Sequence, residues 1–262
     1  MSVNEGNEIE GSKAPLLSHL IELRQRLIWC MVALGLAFVV CFYFATPIYN
    51  FLLWPYERAV PADQVIDMQF TAPHEFFFTK LKLALFGAFV ITFPILAAQI
   101  YMFVAPGLYK NERSAFLPYL LATPVLFIIG ASVVYFIVMP LAMDYFLSHQ
   151  QSADTGVRIQ LVAKVSEYFS LITALIVAFG ICFQLPIALT LLARAGLVGS
   201  ETLKNKRRYA VVGVFAVAAL MTPPDPFSQL GLALPTYLLY EVSIWMVQMV
   251  EKKREQREAA NA

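Results

Sequence analysis

The sequence predicts an all-α integral membrane protein with six transmembrane helices. Of its 262 residues, 59% are hydrophobic and 14% are charged, whereas soluble domains carry about 25% charged residues. Stretches without Asp, Glu, Lys or Arg mark the spans, because a helix needs about 20 apolar residues to cross the hydrocarbon core. The last two predicted spans are short. In order, the spans are 27–46, 83–104, 116–138, 168–192, 209–222 and 228–248.

The distribution of basic residues predicts that both termini are cytoplasmic. Lys and Arg concentrate on the side of the membrane that carries the termini, as the positive-inside rule requires of the cytoplasmic side. The 14 basic residues on that side are Lys13, Arg24, Arg26, Lys110, Arg113, Arg194, Lys204, Lys206, Arg207, Arg208, Lys252, Lys253, Arg254 and Arg257. The five on the other side are Arg58, Lys80, Lys82, Arg158 and Lys164.

The whole chain, 1–262, is expected to form a single membrane domain. Residues 1–26 are its cytoplasmic N-terminus and 251–262 a cytoplasmic tail, which we expect to be disordered because it is highly charged. An outer segment, 47–60, is expected to be an interfacial helix because it contains Trp and Tyr. Prolines recur in or beside the spans and predict kinked helices that form a concave face: Pro94, Pro124, Pro140, Pro186 and Pro235.

The sequence lacks residues that are characteristic of several classes of protein function. The sequence has no catalytic motif and no metal-ligand spacing, so we expect no enzyme activity, metal or cofactor. A net charge of +1 gives no indication of nucleic-acid binding. A solute transporter or channel remains the alternative, although it needs polar groups at the bilayer midplane. Among acidic and amide residues, only Gln184 and Glu241 lie within spans away from the span ends, with Gln99 near a cytoplasmic end. Glu241 is expected to reach the interface by snorkelling.

Two acidic residues stand out on the cytoplasmic side. Glu22 precedes Arg26 by four residues, the favourable order for a helical ion pair, and Ser18 is a candidate N-cap for this helix. Glu112 follows a Pro-Gly break between the second and third spans. Each acid suits either a solvated structural role or a binding role for a cationic ligand, and spacing alone leaves both interpretations open.

Four separated motifs give the sequence a family resemblance. They are HLIELRQRL (19–27), PGLYKNER (106–113), FGICFQLPIAL (179–189) and LMTPPDPFSQ (220–229). Together they closely resemble TatC, the core family of the twin-arginine protein translocase, over essentially the whole chain. The resemblance implies a bacterial inner-membrane receptor, in a multi-copy complex with TatB, for the twin-arginine signal peptides of folded precursor proteins. With TatA it implies export driven by the proton motive force.

The resemblance also implies roles for individual residues. Glu22 and Glu112 match the acids that recognise the twin arginines. The basic residues around these acids are Arg24, Arg26, Lys110 and Arg113. Residues matching the contact edge for TatB or TatA are Thr222, Asp225, Gln229 and Gln184. The position of Gln184 is often Glu in the family, so Gln here argues against a required protonatable group.

Overall fold

The computed structural model describes residues 4–60, 68–108, 117–150, 162–222 and 226–261, and helices dominate these ranges. In chain order, the helices are α1 (Asn4–Tyr43), α2 (Ala45–Ala59), α3 (Glu75–Leu108), α4 (Leu117–Val133), α5 (Met139–Ser148), α6 (Val165–Cys182), α7 (Leu185–Arg194), α8 (Ser200–Asn205), α9 (Arg207–Met221) and α10 (Pro226–Asn261). A π-helical segment (Val134–Val138) joins α4 to α5. Two short strands, β1 (Met68–Gln69) and β2 (Ala163–Lys164), pair in parallel.

The described helices fit the predicted all-α membrane fold. Within the described residues, five helical stretches have the length and apolar composition needed to cross a membrane, and each overlaps a predicted span. They are His19–Tyr43, Glu75–Phe103, Pro118–Ser148, Val165–Arg194 and Ser228–Gln256. The remaining predicted span, 209–222, corresponds to α9, which has only 15 residues. At 1.5 Å per residue α9 is about 22 Å long, short of the ~30 Å hydrocarbon core.

Two expectations about the ends of the chain are wrong. Helix α1 already begins at Asn4, so Ser18 lies inside the helix and is not its N-cap. The tail after Glu251 is also helical, because α10 continues to Asn261. That tail is rich in Glu, Lys, Arg, Gln and Ala, which are good helix formers, so its high charge does not imply disorder.

The core is built around α6, whose residues Ile172, Leu175 and Phe179 are fully buried. Glycines let α4 approach α6 closely. A methyl group on Gly180 would lie 2.2 Å from the ring of Phe127, and one on Gly130 would lie 2.9 Å from the carbonyl oxygen of Phe179. Small residues allow such close packing between membrane helices, where no hydrophobic force drives helices together.

Helix α2, expected in segment 47–60, packs against the core through its backbone as well as its side chains. Pro55 lies inside α2 and has no N–H to donate to the carbonyl of Phe51. The hydroxyl of Tyr135 donates to that carbonyl at 2.7 Å, and Tyr168 donates to the carbonyl of Leu52 at 2.8 Å. Two hydroxyl groups from the spans therefore fix α2 against the bundle.

A carboxylate joins the segments next to the two-stranded ladder, which the sequence did not predict. Glu75, the first residue of α3, accepts hydrogen bonds from the backbone N–H and the hydroxyl of Thr71 at 2.8 and 3.1 Å. Its other oxygen accepts from the hydroxyl of Ser166 near the start of α6. This carboxylate therefore ties the starts of two spans together at the end of the molecule that carries β1 and β2.

The prolines interrupt helical structure at two of the predicted positions. Helix α6 ends at Cys182 and α7 begins at Leu185, with Pro186 in its first turn. Pro140 follows the π segment in the first turn of α5. Pro124 and Pro235 lie inside helices that continue past them.

The close approach of α4 and α6 predicts a large difference between two glycine substitutions. Gly180→Ala should destabilise the protein by about 1–3 kcal/mol, because the methyl group would lie 2.2–2.8 Å from three ring atoms of the buried Phe127. Gly213→Ala is the control, since a methyl group there meets nothing within 4 Å; it should leave stability unchanged or raise it by up to ~1 kcal/mol. Thermal unfolding in detergent would measure both, and equal stability of the two variants would contradict the packing argument.

The short α9 predicts a locally thinned bilayer. A helix of about 22 Å is accommodated in a ~30 Å core by local thinning, or by tilting less than its neighbours without any thinning. A spin label at Met221, at the end of α9, should lie deeper relative to bulk lipid than one at Tyr43, at the end of α1. Lengthening α9 by four apolar residues should remove the difference. Equal depths for both labels would rule out thinning.

Candidate functional site

The first turns of the apolar part of α1 pack against the last turns of α3. The ring of His19 stacks on that of Phe103, with centroids 4.1 Å apart and planes 16° from parallel. Glu22 and Arg26 follow His19 by three and seven residues and therefore lie on the same helical face. Since the beginning of this span meets the end of α3, the two helices are antiparallel here, and this face of α1 is directed at α3.

Glu22, Arg26 and Gln99 form a hydrogen-bonded chain across the two helices. Arg26 donates from both Nε, at 3.0 Å, and Nη2 to the same oxygen of Glu22, Oε1. Its Nη1 donates at 3.1 Å to Oε1 of Gln99 on α3. The predicted ion pair is therefore present, and a polar residue from a second helix holds its guanidinium. The carboxylate side chain of Glu22 is 36% exposed and that of Arg26 is 21% exposed.

The chain leaves one side of the carboxylate open. Within the described residues, Oε2 of Glu22 accepts no hydrogen bond, and Arg24 is exposed without an ion pair. Helix α3 ends at Leu108, four residues before Glu112. Lys110, Glu112 and Arg113 lie outside the described residues, so the predicted proximity of the two acids stays a prediction.

Gln184 lies at the break between α6 and α7 and bonds to a neighbouring helix. Its Nε2 donates to the carbonyl of Thr123 on α4 at 3.1 Å and to the carbonyl of Gly180 at 3.2 Å. Both amide hydrogens are thus directed at carbonyl oxygens, which fixes the orientation of the amide. Its Oε1 is buried and has no hydrogen-bond partner among the residues that the structure describes. A buried acceptor without a partner costs about 1–3 kcal/mol.

Two of the polar residues predicted for the α9–α10 turn, Thr222 and Gln229, are less accessible to a partner than the sequence suggests. Thr222 is buried, and its hydroxyl donates at 2.9 Å to the carbonyl of Ala218 in its own chain segment. Gln229 is half-buried in the first turn of α10, and Asp225 lies outside the described residues. Among the described residues, no hydrogen bond joins Gln184 to Thr222 or to Gln229.

Glu241 is held by two side chains, and its expected reach to the membrane interface stays a prediction. It accepts from Arg207 at the start of α9 at 2.7 Å and from the hydroxyl of Tyr237 at 3.0 Å. The ion pair fastens the first turn of α9 to α10. Glu251 has a comparable role, since it accepts from the backbone N–H of Ser200 at 2.8 Å at the start of α8.

Sequence reasoning missed Gln99 as part of the Glu22 cluster. The available signal was a lone amide near the end of an otherwise apolar span, and its partner depends on how α1 and α3 pair. Tyr101 and Thr123, hydrogen-bonded to each other at 3.1 Å beside Gln184, were missed for the same reason. The part of the chain that the structure describes contains no group of three His, Cys, Asp or Glu side chains suited to a metal ion.

Comparisons with known proteins agree with this architecture. The family described as Sec-independent protein translocase protein (TatC) matches residues 18–235. The chain is 45% identical over 249 residues to a TatC protein of Magnetococcus marinus, covering 95% of this chain and 89% of the relative. It is 38% identical to TatC of Escherichia coli K12, covering 93% and 92%. A crystal structure described as the twin arginine translocase receptor TatC matches with a TM-score of 0.76 at 35% identity, covering 88% and 98%.

Proposed function

Since the chain belongs to the TatC family of Sec-independent protein translocase proteins, we propose that Glu22 and Glu112 together receive the two arginines of a twin-arginine signal peptide. As a family member it is a multi-pass inner-membrane subunit of twin-arginine protein translocation and a transport component rather than an enzyme. The observation that carries the proposal is the partly exposed carboxylate of Glu22, with Oε2 open, at the end of α3 that leads to Glu112.

The chemistry of the ligand suits two acids. A guanidinium is planar, always charged and can bind a carboxylate through two N–H donors, so two arginines are best matched by two carboxylates. Both acids must lie outside the hydrocarbon core, because the charged region of a signal peptide stays in the cytoplasm. The excess of Lys and Arg around both termini supports a cytoplasmic location for this end of α1 and α3. Arg24, Lys110 and Arg113 would then set the local charge around the site.

The second part of the proposal concerns partner subunits. We propose that TatB and TatA contact the edge formed by Thr222, Asp225 and Gln229, and that Gln184 offers its Oε1 to a donor on a partner helix or to water. Oε1 is buried and lacks a hydrogen-bond partner among the described residues, so a partner or water must open its cover before it donates to this oxygen. The new hydrogen bond would then recover the cost of the unpaired acceptor, which supports this role. A multi-copy complex with TatB would bind the signal peptide of a folded precursor, and TatA would join for export driven by the proton motive force.

The polar residues of the spans do not support the alternative function, a solute transporter or channel. A transport path needs polar groups that converge on a substrate at the midplane. Here Gln184 turns both N–H groups to backbone carbonyls, and Glu241 is paired with Arg207. The family match covers most of the chain and assigns it to protein translocation.

Removing the two carboxylates should reduce signal-peptide binding. Glu22→Gln or Glu112→Gln should each weaken binding of a twin-arginine peptide about tenfold or more, because each leaves one guanidinium without a charged acceptor. Site-specific cross-linking to the peptide in membranes would measure the loss. Glu201→Gln is the control, since this exposed acid on α8 lies outside the proposed site. Undiminished cross-linking in the Glu22→Gln, Glu112→Gln double variant would refute the proposal.

Replacing Gln184 tests its proposed contact with a partner. Gln184→Leu removes the orphaned acceptor and should reduce cross-linking of this span to TatA or TatB while signal-peptide binding persists. Thr190→Val is the matched control, because it removes a buried hydroxyl from the same span that donates only to the carbonyl of Pro186. Normal partner cross-linking and export in Gln184→Leu would leave only the structural hydrogen bond to α4.

A further inference from the structure

We infer that Arg26 is an internal occupant of the arginine site: its guanidinium covers Glu22 in the unliganded protein and must leave Oε1 before a signal-peptide arginine can bind the carboxylate fully. The inference rests on the proposed role of Glu22. It adds a regulatory contact, in which the protein supplies the same chemical group as its ligand.

Arg26 contacts Glu22 with the guanidinium donors that a ligand arginine would use, although both donors share one carboxylate oxygen. Arg26 presents the Nε–Nη2 edge of its guanidinium to Glu22, and a ligand arginine would use the same donor set. Both donors meet Oε1, and within the described residues Oε2 accepts no hydrogen bond, so an arriving arginine can begin to bind before Arg26 departs. The two guanidiniums would then repel each other across one carboxylate, which favours completion of the exchange.

Gln99 provides the retaining contact on the other helix. It accepts from Nη1, the part of the guanidinium that Glu22 does not use, so Arg26 is held from two sides. An isolated i,i+4 ion pair at a surface is weak. The additional bond to α3 makes Arg26 a more persistent occupant than the spacing in α1 alone would give. When the carboxylate is taken by a ligand, Gln99 remains as an acceptor for the displaced group.

Because Arg26 occupies the site for part of the time, the affinity for a ligand falls in proportion to the fraction of time that the site is free. An internal competitor multiplies the apparent Kd of every ligand that must displace it by the same factor. A single cation gains little binding free energy from other contacts, so Arg26 would exclude it from the site. A peptide with a second arginine for Glu112 and an apolar segment for the membrane gains enough elsewhere to displace Arg26.

The test measures the Kd of a synthetic twin-arginine signal peptide, and of its twin-lysine counterpart, for the full-length chain in lipid nanodiscs. Arg26→Met should lower both Kd values about threefold to tenfold and by the same factor, because it removes the competitor. Arg26→Lys, which keeps the charge but not the fork, should give a smaller decrease. Gln99→Leu, which keeps Arg26 itself, should lower Kd about twofold. Arg208→Met, a guanidinium removed elsewhere on the same side, should leave both values unchanged.

The outcomes separate this inference from the function on which it rests. Tighter binding in Arg26→Met and Gln99→Leu supports the internal occupant. Weaker or unchanged binding in Arg26→Met, together with a clear loss in Glu22→Gln, overturns the inference and leaves Glu22 as the binding residue. If Arg26→Met weakens binding of the arginine peptide more than binding of the lysine peptide, Arg26 orients Glu22 instead of competing for it. Wild-type binding by Glu22→Gln would remove the proposed site and this inference with it.

Discussion

The close approach of α4 and α6 at Gly130 and Gly180 is the contact on which most of the other positions depend. Lipid offers no hydrophobic advantage to helix association, so the bundle relies on dense packing and on a few interhelical hydrogen bonds. The ring of Phe127 lies directly over Gly180. One turn after Gly180, and one turn before Phe127 on α4, the same interface brings Gln184 to the carbonyl of Thr123. The packing therefore places the buried polar group as well as the core.

From this interface a series of contacts leads to the candidate site. Thr123 on α4 bonds to Tyr101 on α3, and the next turns of α3 carry Gln99 and Phe103, which hold Arg26 and His19 of α1. Little of the apolar span of α1 is covered by the rest of the chain. The N-terminal end of this span is therefore positioned mainly by α3. Displacing Arg26 from Glu22 would alter one of the few polar links between these two helices.

The environment of Gln184 explains why an amide fits there. Two carbonyl oxygens face its Nε2, so the side chain must present donors to both. An ionised carboxylate at the same place would face them with negative charge and would have to be protonated or turned away. The amide donates to both carbonyls without any proton uptake, and its remaining oxygen has no hydrogen-bond partner among the described residues. This position therefore requires a hydrogen-bond donor, and the acceptor oxygen of the amide is not needed for the two bonds.

The sequence by itself determined the membrane class, the approximate spans, the short α9, the Glu22–Arg26 pair and the family. Each of these depends on local composition, helical spacing or contiguous motifs, which do not require knowledge of the packing. The strand pairing near Glu75, the link from Arg26 to Gln99 and the orphaned Oε1 of Gln184 were decided only by the tertiary structure. Arg26 and Gln99 are 73 residues apart, and they meet because α1 and α3 pack antiparallel. Uniformly apolar helices specify that they cross the membrane, but their pairing and rotation follow from close side-chain packing that no single segment contains.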